Sequence, residues 1–135
     1  MFNKKKQPPI KSLIAAGSEI EGNFKFADGF RVDGVVIGCI SAKPDLASIL
    51  VISETAVVTG EIHADHIIIN GAVNGPVHAR VMLELQPKAR IQGDVHYTAL
   101  EMHQGAIIAG QLRPVLAVED KPTLKLAANN GQLNS

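Results

Sequence analysis

Several residue types that mark particular classes of protein are scarce in this sequence. Its 135 residues include no Trp, one Tyr, four Phe and one Cys. A single cysteine excludes an internal disulfide framework and is ordinary for a cytoplasmic protein. No apolar run approaches the roughly 18 residues of a membrane-spanning helix. The basic start is followed by Gln7, Pro8 and Pro9 rather than by an apolar segment, so we expect no secretory signal.

Net charge is also lacking, because 13 basic side chains balance 13 acidic ones. A nucleic-acid-binding domain would carry a basic excess, so no nucleic-acid partner is expected. The charges are nevertheless segregated: residues 1–17 carry four lysines and no acid, whereas residues 18–113 carry seven basic and eleven acidic side chains. With the prolines and asparagines of 114–135, this pattern predicts disordered tails at 1–17 and 114–135 around one domain at 18–113.

The residues that are present form an internal repeat. Six glycines recur at intervals of 15 to 22 residues. An aliphatic residue lies two positions before each of them and an apolar residue two positions after it. The longest interval contains an extra loop at 43–46. These anchor glycines are Gly22, Gly38, Gly60, Gly75, Gly93 and Gly110.

This repeat predicts a β-solenoid. Alternation with a period of two indicates short strands with one inward and one outward face. A unit of about 17 residues accommodates two or three strands and their corners, which is one coil. Six coils at the usual strand spacing of about 4.8 Å make a rod about 29 Å long. The expected fold is therefore all-β, a single-domain parallel β-helix of about six coils with glycines at the corners.

The recurrent unit, seen at 56–62 (AVVTGEI) and 89–95 (ARIQGDV), resembles that of the bactofilins. The resemblance covers residues 18–113 and the first six residues, MFNKKK. It implies a right-handed, roughly triangular β-helix in a bacterial cytoskeletal protein that polymerises without nucleotide into nonpolar filaments. It also implies association with the inner face of the cytoplasmic membrane and a scaffolding role for cell-wall enzymes that affect cell shape.

The two ends of the rod are the candidate polymer interface. End coils have unpaired strand edges, which monomeric solenoids cap. The first coil holds Phe24, Phe26 and Phe30, and the last holds Ile108 and Leu112 with no helix predicted after it. We expect these five side chains to be exposed at the ends and to become buried when rods join. The alternative, in which the tails fold back over the ends, stays open.

The N-terminus is the candidate membrane-binding segment. Phe2 supplies an apolar group, and Lys4, Lys5 and Lys6 supply charges that are each worth about 1 kcal/mol near an anionic leaflet. A filament presents many such segments and so binds with avidity. The expected location is therefore cytoplasmic and peripheral to the inner membrane surface. A solvated basic leader is the alternative.

Three histidines are predicted to form an outward column. His63, His78 and His96 each lie three positions after an anchor glycine. Such a column can bind a metal or sense pH. Outward columns are usually only solvated, and no carboxylate is evidently placed beside this one, so we expect neither a metal site nor a cofactor. Cys39 is expected to be a surface thiol without a base to activate it.

The sequence contains no catalytic motif such as a nucleophile elbow, a phosphate-binding loop or a Cys-x-x-Cys pair. We therefore expect a protein that is not an enzyme and has no catalytic residues. Two alternatives stay open. One is a β-solenoid adaptor that does not polymerise. The other is a left-handed hexapeptide-repeat acyltransferase, whose six-residue phase is stricter than the spacing of 15 to 22 found here.

Overall fold

Short strands joined by tight corners account for residues 8–115, which are the residues that the computed structural model describes. Every strand pair is parallel, and six successive coils are stacked. Parallel strands without crossover helices require a solenoid, because each strand must pair with the equivalent segment one coil later. The expected all-β parallel β-helix is confirmed. Residues 8–115 contain no helix that is long and apolar enough to cross a membrane.

The described residues form fifteen strands. In chain order they are β1 (Ile10–Ile14), β2 (Glu19–Glu21), β3 (Phe24–Phe26), β4 (Asp28–Val32), β5 (Val35–Ile37), β6 (Ile40–Ala42), β7 (Ser48–Ile52), β8 (Val57–Thr59), β9 (Ile62–Ile69), β10 (Ala72–Asn74), β11 (Val77–Leu85), β12 (Arg90–Gln92), β13 (Val95–Met102), β14 (Ile107–Ala109) and β15 (Leu112–Pro114).

The strands line three faces of the rod. The first face is the ladder β2, β5, β8, β10, β12 and β14. The second face begins with β3 and β6, and the third with β1, β4 and β7. In the later coils one long strand bends from the second face to the third, and the register between β9 and β11 shifts between Ala79 and Met82 at that bend. The predicted extra loop lies between β6 and β7.

The core consists of inward columns of aliphatic side chains. Ile40, Ile62, Val77 and Val95 lie two residues after successive anchor glycines and are fully buried. The positions two residues before the glycines are equally buried in the internal coils, where they hold Val36, Val58, Val73 and Ile91. Burying each such side chain is worth roughly 1.5–3 kcal/mol. The strand alternation and the hydrophobic pattern therefore specify the same register.

The anchor glycines permit close contact between successive coils. Gly60 has a φ of +147°, which side-chain-bearing residues rarely adopt. A Cβ atom at this position would overlap the carbonyl oxygen of Gly38 in the preceding coil. Gly38, Gly75 and Gly93 repeat both features. Glycine is therefore needed for stacking as well as for turning.

The solenoid begins before residue 18. β1 pairs in parallel with β4, and its last residue, Ile14, is buried. The expected disordered tail at 1–17 is therefore wrong for residues 10–14. The glycine repeat could not predict this strand, because β1 lies on the third face and no anchor glycine precedes it.

Candidate assembly surfaces and histidine column

Inward positions that are sealed inside the solenoid become exposed at its C-terminal end. Leu112 is 47% exposed, although Val95, its partner in register on the preceding coil, is fully buried. Met102 is 45% exposed, whereas its partner Leu85 is fully buried. Within residues 8–115, no strand pairs with the outer sides of β14 and β15. The last described coil therefore presents apolar side chains beside unpaired backbone groups.

The N-terminal end is open in the same manner on two faces. Ile20 and Phe24 are only half-buried, although their partners Val36 and Ile40 are fully buried. Among the described strands, β2 and β3 each pair on one side only. On the third face, β1 covers β4 and itself has an unpaired outer edge. This end is therefore a second apolar surface with free strand edges.

Two of the five residues expected at the polymer interface belong to the core instead. Phe26 is 6% exposed and Phe30 is 5% exposed, and their ring centroids lie 5.4 Å apart. β1 covers the strand that carries Phe30. Phe26 fills an inward position that Ala42 occupies in the next coil. The expectation for Phe30 was wrong because β1 covers its strand, and the expectation for Phe26 was wrong because its ring points inward and packs against Phe30.

The remaining three expected residues lie on the end surfaces. Phe24 is half-buried at the N-terminal end, and Ile108 and Leu112 lie on the last coil. Ile20, Leu100 and Met102 share the same surfaces and were not predicted there. Their inward phase within the repeat could have identified them, because each aligns with a buried residue of the adjacent coil.

The histidine column is present as predicted. His78 pairs in register with His63 on β9 and with His96 on β13. The imidazole rings of His63 and His78 are stacked 4.2 Å apart, and those of His78 and His96 are stacked 4.3 Å apart. This spacing follows from the coil spacing, which brings identical outward positions of neighbouring strands into contact.

A carboxylate does lie beside the column, contrary to the expectation from sequence. The Oε2 atom of Glu61 lies 2.9 Å from Nε2 of His63 and 2.7 Å from Nε2 of His78. Glu61 and His63 are two residues apart, so an extended chain directs both side chains to the same face. This i, i+2 relation was visible in the sequence and was overlooked.

The residue across from Glu61 explains why its carboxylate is free to reach the histidines. In two other coils, the residue after the anchor glycine accepts a hydrogen bond from the backbone N–H of the equivalent residue one coil later. Asn23 accepts from Cys39, and Asp94 accepts from Gln111. The residue equivalent to Cys39 in the coil after Glu61 is Pro76, which has no N–H to donate.

The pKa values in the cluster are shifted by burial and by the neighbouring groups. Burial alone would raise the pKa of Glu61, but hydrogen bonds and positive charge from His63 and His78 outweigh it, and the pKa lies below 4.5. The pKa of His78 lies below 6.5, chiefly because burial disfavours the imidazolium and also because His63 and His96 repel it. Near neutral pH Glu61 is therefore a carboxylate, and the lowered pKa of His78 favours its neutral imidazole.

The histidines face a shallow groove of about 300 Å³. Its other walls include Arg80, which is held by the carboxylate of Asp65, and Thr98. Within residues 8–115, one other group of histidine and acidic side chains lies close together, formed by Glu84, Glu101 and His103 on the third face and its corner.

The remaining candidate residues are of two kinds. Phe2, Lys4, Lys5 and Lys6, expected to bind the membrane, lie outside the described residues. Cys39 is partly exposed at a corner of the second coil, and its backbone N–H is the one bound by Asn23. The backbone of Cys39 therefore helps to hold the second coil on the first.

The stacked parallel coils and their inward aliphatic columns place this protein in the class of β-solenoid repeat proteins. The family model described as "Bactofilin: polymer-forming cytoskeletal" matches residues 12–113. The chain therefore belongs to the bactofilin family, as its repeat predicted. Searches of curated proteins and of solved structures find no match. The match begins within β1, which agrees with an earlier start of the solenoid than residue 18.

Proposed function

We propose that this protein is a bacterial cytoskeletal scaffold whose rods join end to end into nonpolar filaments without nucleotide. The observation that carries this proposal is the change in burial along single inward columns, from fully buried in the internal coils to 47% exposed at Leu112. The family description, polymer-forming cytoskeletal, supports self-association of the same kind.

The energetics favour junctions at the ends. An unpaired strand edge in water costs little, because water satisfies its donors and acceptors. Exposed apolar side chains cost more, since burying each large one is worth roughly 1.5–3 kcal/mol. Leu112, Ile108 and Met102 at one end and Ile20 and Phe24 at the other would become buried when an end meets its equivalent on a second rod. In a symmetric junction both rods contribute the same surface, so two copies of each side chain at that end become buried.

We further propose that the filament lies on the cytoplasmic surface of the inner membrane and positions cell-wall or shape-determining proteins. Phe2 and Lys4 to Lys6 would provide the membrane contact. Each segment alone binds weakly, but a filament displays one per subunit and so binds with avidity. The partner proteins, such as enzymes of peptidoglycan synthesis or remodelling, would then be recruited along the filament.

Assembly through the ends is tested by placing an arginine at each of two apolar residues that are equally exposed, one on the end surface and one on the side of the rod. Leu112→Arg changes the end surface, and Val81→Arg changes the side of the rod at a residue that is also 47% exposed. We expect Leu112→Arg to abolish long filaments in sedimentation and electron microscopy without added nucleotide. Val81→Arg should leave them intact. Circular dichroism of both variants should retain the strand signal of the wild type.

The size of the Leu112→Arg assembly tests the nonpolar arrangement. If like ends join, blocking the C-terminal end leaves dimers held through the N-terminal ends. If unlike ends join, every junction is blocked and monomers remain. Filaments of normal length from folded Leu112→Arg would contradict assembly through the ends, and monomers would contradict the nonpolar arrangement.

A further inference from the structure

Three side chains of types that can bind a metal ion point outward from the second face of the rod. His63 is the second residue of β9, Glu61 immediately precedes that strand, and His78 is the in-register neighbour of His63 on β11. Two residues at an i, i+2 spacing and one on the neighbouring strand form a triangle of side chains that point the same way. Such a triangle supplies three ligands on one side of an ion and leaves the other side open.

The donor atoms already converge. The Nε2 atoms of His63 and His78 and a carboxylate oxygen of Glu61 all lie within 4.8 Å of one another. Ligands around a tetrahedral zinc ion are separated by about 3.3 Å, given metal–ligand distances of about 2.0–2.1 Å. The two Glu61 contacts, at 2.7 and 2.9 Å, are shorter than this separation. Small outward shifts of the three side chains would therefore make room for the ion.

The fold leaves these donors without a competing structural role. Asn23 and Asp94, which lie at the position equivalent to Glu61 in other coils, bind a backbone N–H of the next coil. Pro76 removes that partner for Glu61. Among residues 8–115, Glu61 is the ion-pair partner of the Nε2 atoms of both histidines.

We propose that Glu61, His63 and His78 form a binding site for a divalent transition-metal ion, with Zn²⁺ the best match. Two imidazole nitrogens and one carboxylate oxygen suit Zn²⁺ and disfavour Mg²⁺ and Ca²⁺, which prefer oxygen ligands alone. The fourth position faces the groove of about 300 Å³, where a water molecule or the adjacent His96 can complete the coordination.

Binding has a defined structural consequence. The lone pair of an imidazole lies in the plane of its ring, and the rings of His63 and His78 are parallel. Both rings must therefore turn toward the ion, so binding breaks the stack. Both are only partly buried and border the groove, so rotation requires no change in the core.

The test measures Zn²⁺ binding to the metal-free full-length protein by equilibrium dialysis. We expect one Zn²⁺ per chain, and we expect Glu61→Gln, His63→Gln and His78→Gln each to weaken the affinity by about tenfold or more. The matched control is His66→Gln, which alters another partly buried histidine of β9 that lies outside the cluster. Circular dichroism checks the fold of each variant.

A second measurement changes none of the ligands and uses Leu112→Arg, because long filaments would broaden every NMR signal. Co²⁺ replaces Zn²⁺ with similar ligands and is paramagnetic, so it should broaden the NMR signals of His63 and His78 before those of His66 and His103. The site is overturned if Zn²⁺ does not bind, or if the three cluster variants bind as the wild type does. Binding that is lost only in His103→Gln would instead assign the ion to Glu84, Glu101 and His103. The site does not depend on filament assembly, because all its ligands come from one chain.

Discussion

At the scale of single residues, the anchor glycines carry the stacking of the coils. Gly38, Gly60, Gly75 and Gly93 each combine a conformation that glycine favours with direct contact against the preceding coil. Gly110 makes the contact without the positive φ, and Gly22 has the positive φ without the contact, because within residues 8–115 no equivalent glycine precedes it. A Cβ atom there would meet only the ring of Phe24 at 3.9 Å, whereas a Cβ atom on Gly60 would overlap a backbone carbonyl. A comparison of Gly22 with Gly60 therefore separates the cost of backbone strain from the cost of the contact between coils.

This difference yields a prediction. Gly60→Ala should lower the free energy of unfolding by about 3 kcal/mol or more, because strain and backbone overlap act together. Gly22→Ala has nearly the same φ, +140° against +147°, and should cost about 1–2 kcal/mol from strain alone. Chemical denaturation of both variants in the Leu112→Arg background avoids interference from filaments. Equal losses in the two variants would show that coil contact contributes nothing.

At the scale of elements, the carboxylate of Asp94 adds two contacts to the backbone pairing that holds the last coil on the coil before it. Oδ1 of Asp94 accepts the N–H of Gln111, and Oδ2 accepts Nε–H of Arg113, each at 2.9 Å. The Gln111 hydrogen bond and then the Arg113 contacts hold the pKa of Asp94 below 3.8. A carboxylate with a lowered pKa stabilises the fold above its ordinary pKa and loses that effect as the pH falls through the lowered value.

We therefore predict that acidification loosens the C-terminal coil first. Below about pH 4, the backbone amide of Gln111 should lose protection from hydrogen exchange, after correction for intrinsic rates. Asp94→Ala should show the same loss at neutral pH. The control is Cys39, whose amide is bound by the uncharged Asn23 and should keep its protection across this pH range. Equal loss at Cys39 and Gln111 would contradict the role of Asp94.

The elements also show how far the sequence could predict this structure. The spacing of the glycines specified the coils and the inward columns, because backbone conformation and burial are both local to the repeat. β1 was missed because it depends on pairing with β4 and has no glycine of its own. The contact of Glu61 with His63 was visible as an i, i+2 relation, but its contact with His78 depends on the absence of an N–H at Pro76, which lies one coil away. What could not be predicted thus depends on contacts between coils.

At the scale of the whole molecule, the two signs of charge are separated along the chain. The first seven residues carry a charge of +3, and residues 8–113, which include β1, carry −3 from eight basic and eleven acidic side chains. An anionic membrane attracts the first and repels the second. A filament on a membrane should therefore be attached by its N-terminal segments, with the rods held off the lipid surface.

Deletion of residues 1–6 tests this attachment. The three lysines removed are together worth about 3 kcal/mol at an anionic surface, a factor of more than 100 in binding for one segment. The deleted protein should no longer sediment with anionic vesicles, although it still forms filaments. The matched control, Lys121→Gln with Lys125→Gln, removes lysines from the opposite end of the chain and should bind as the wild type does. Unchanged vesicle binding after the deletion would refute the assignment.

The loop between β6 and β7 has a consequence for the filament as a whole. This exposed loop belongs to the second of six coils, so it lies nearer the N-terminal end of the rod than the C-terminal end. If like ends join, the distance between the loops of neighbouring rods alternates between a short and a long value along the filament. If unlike ends join, all separations are equal. Labelling this loop and measuring the spacing of the labels by electron microscopy would therefore distinguish a nonpolar filament from a polar one.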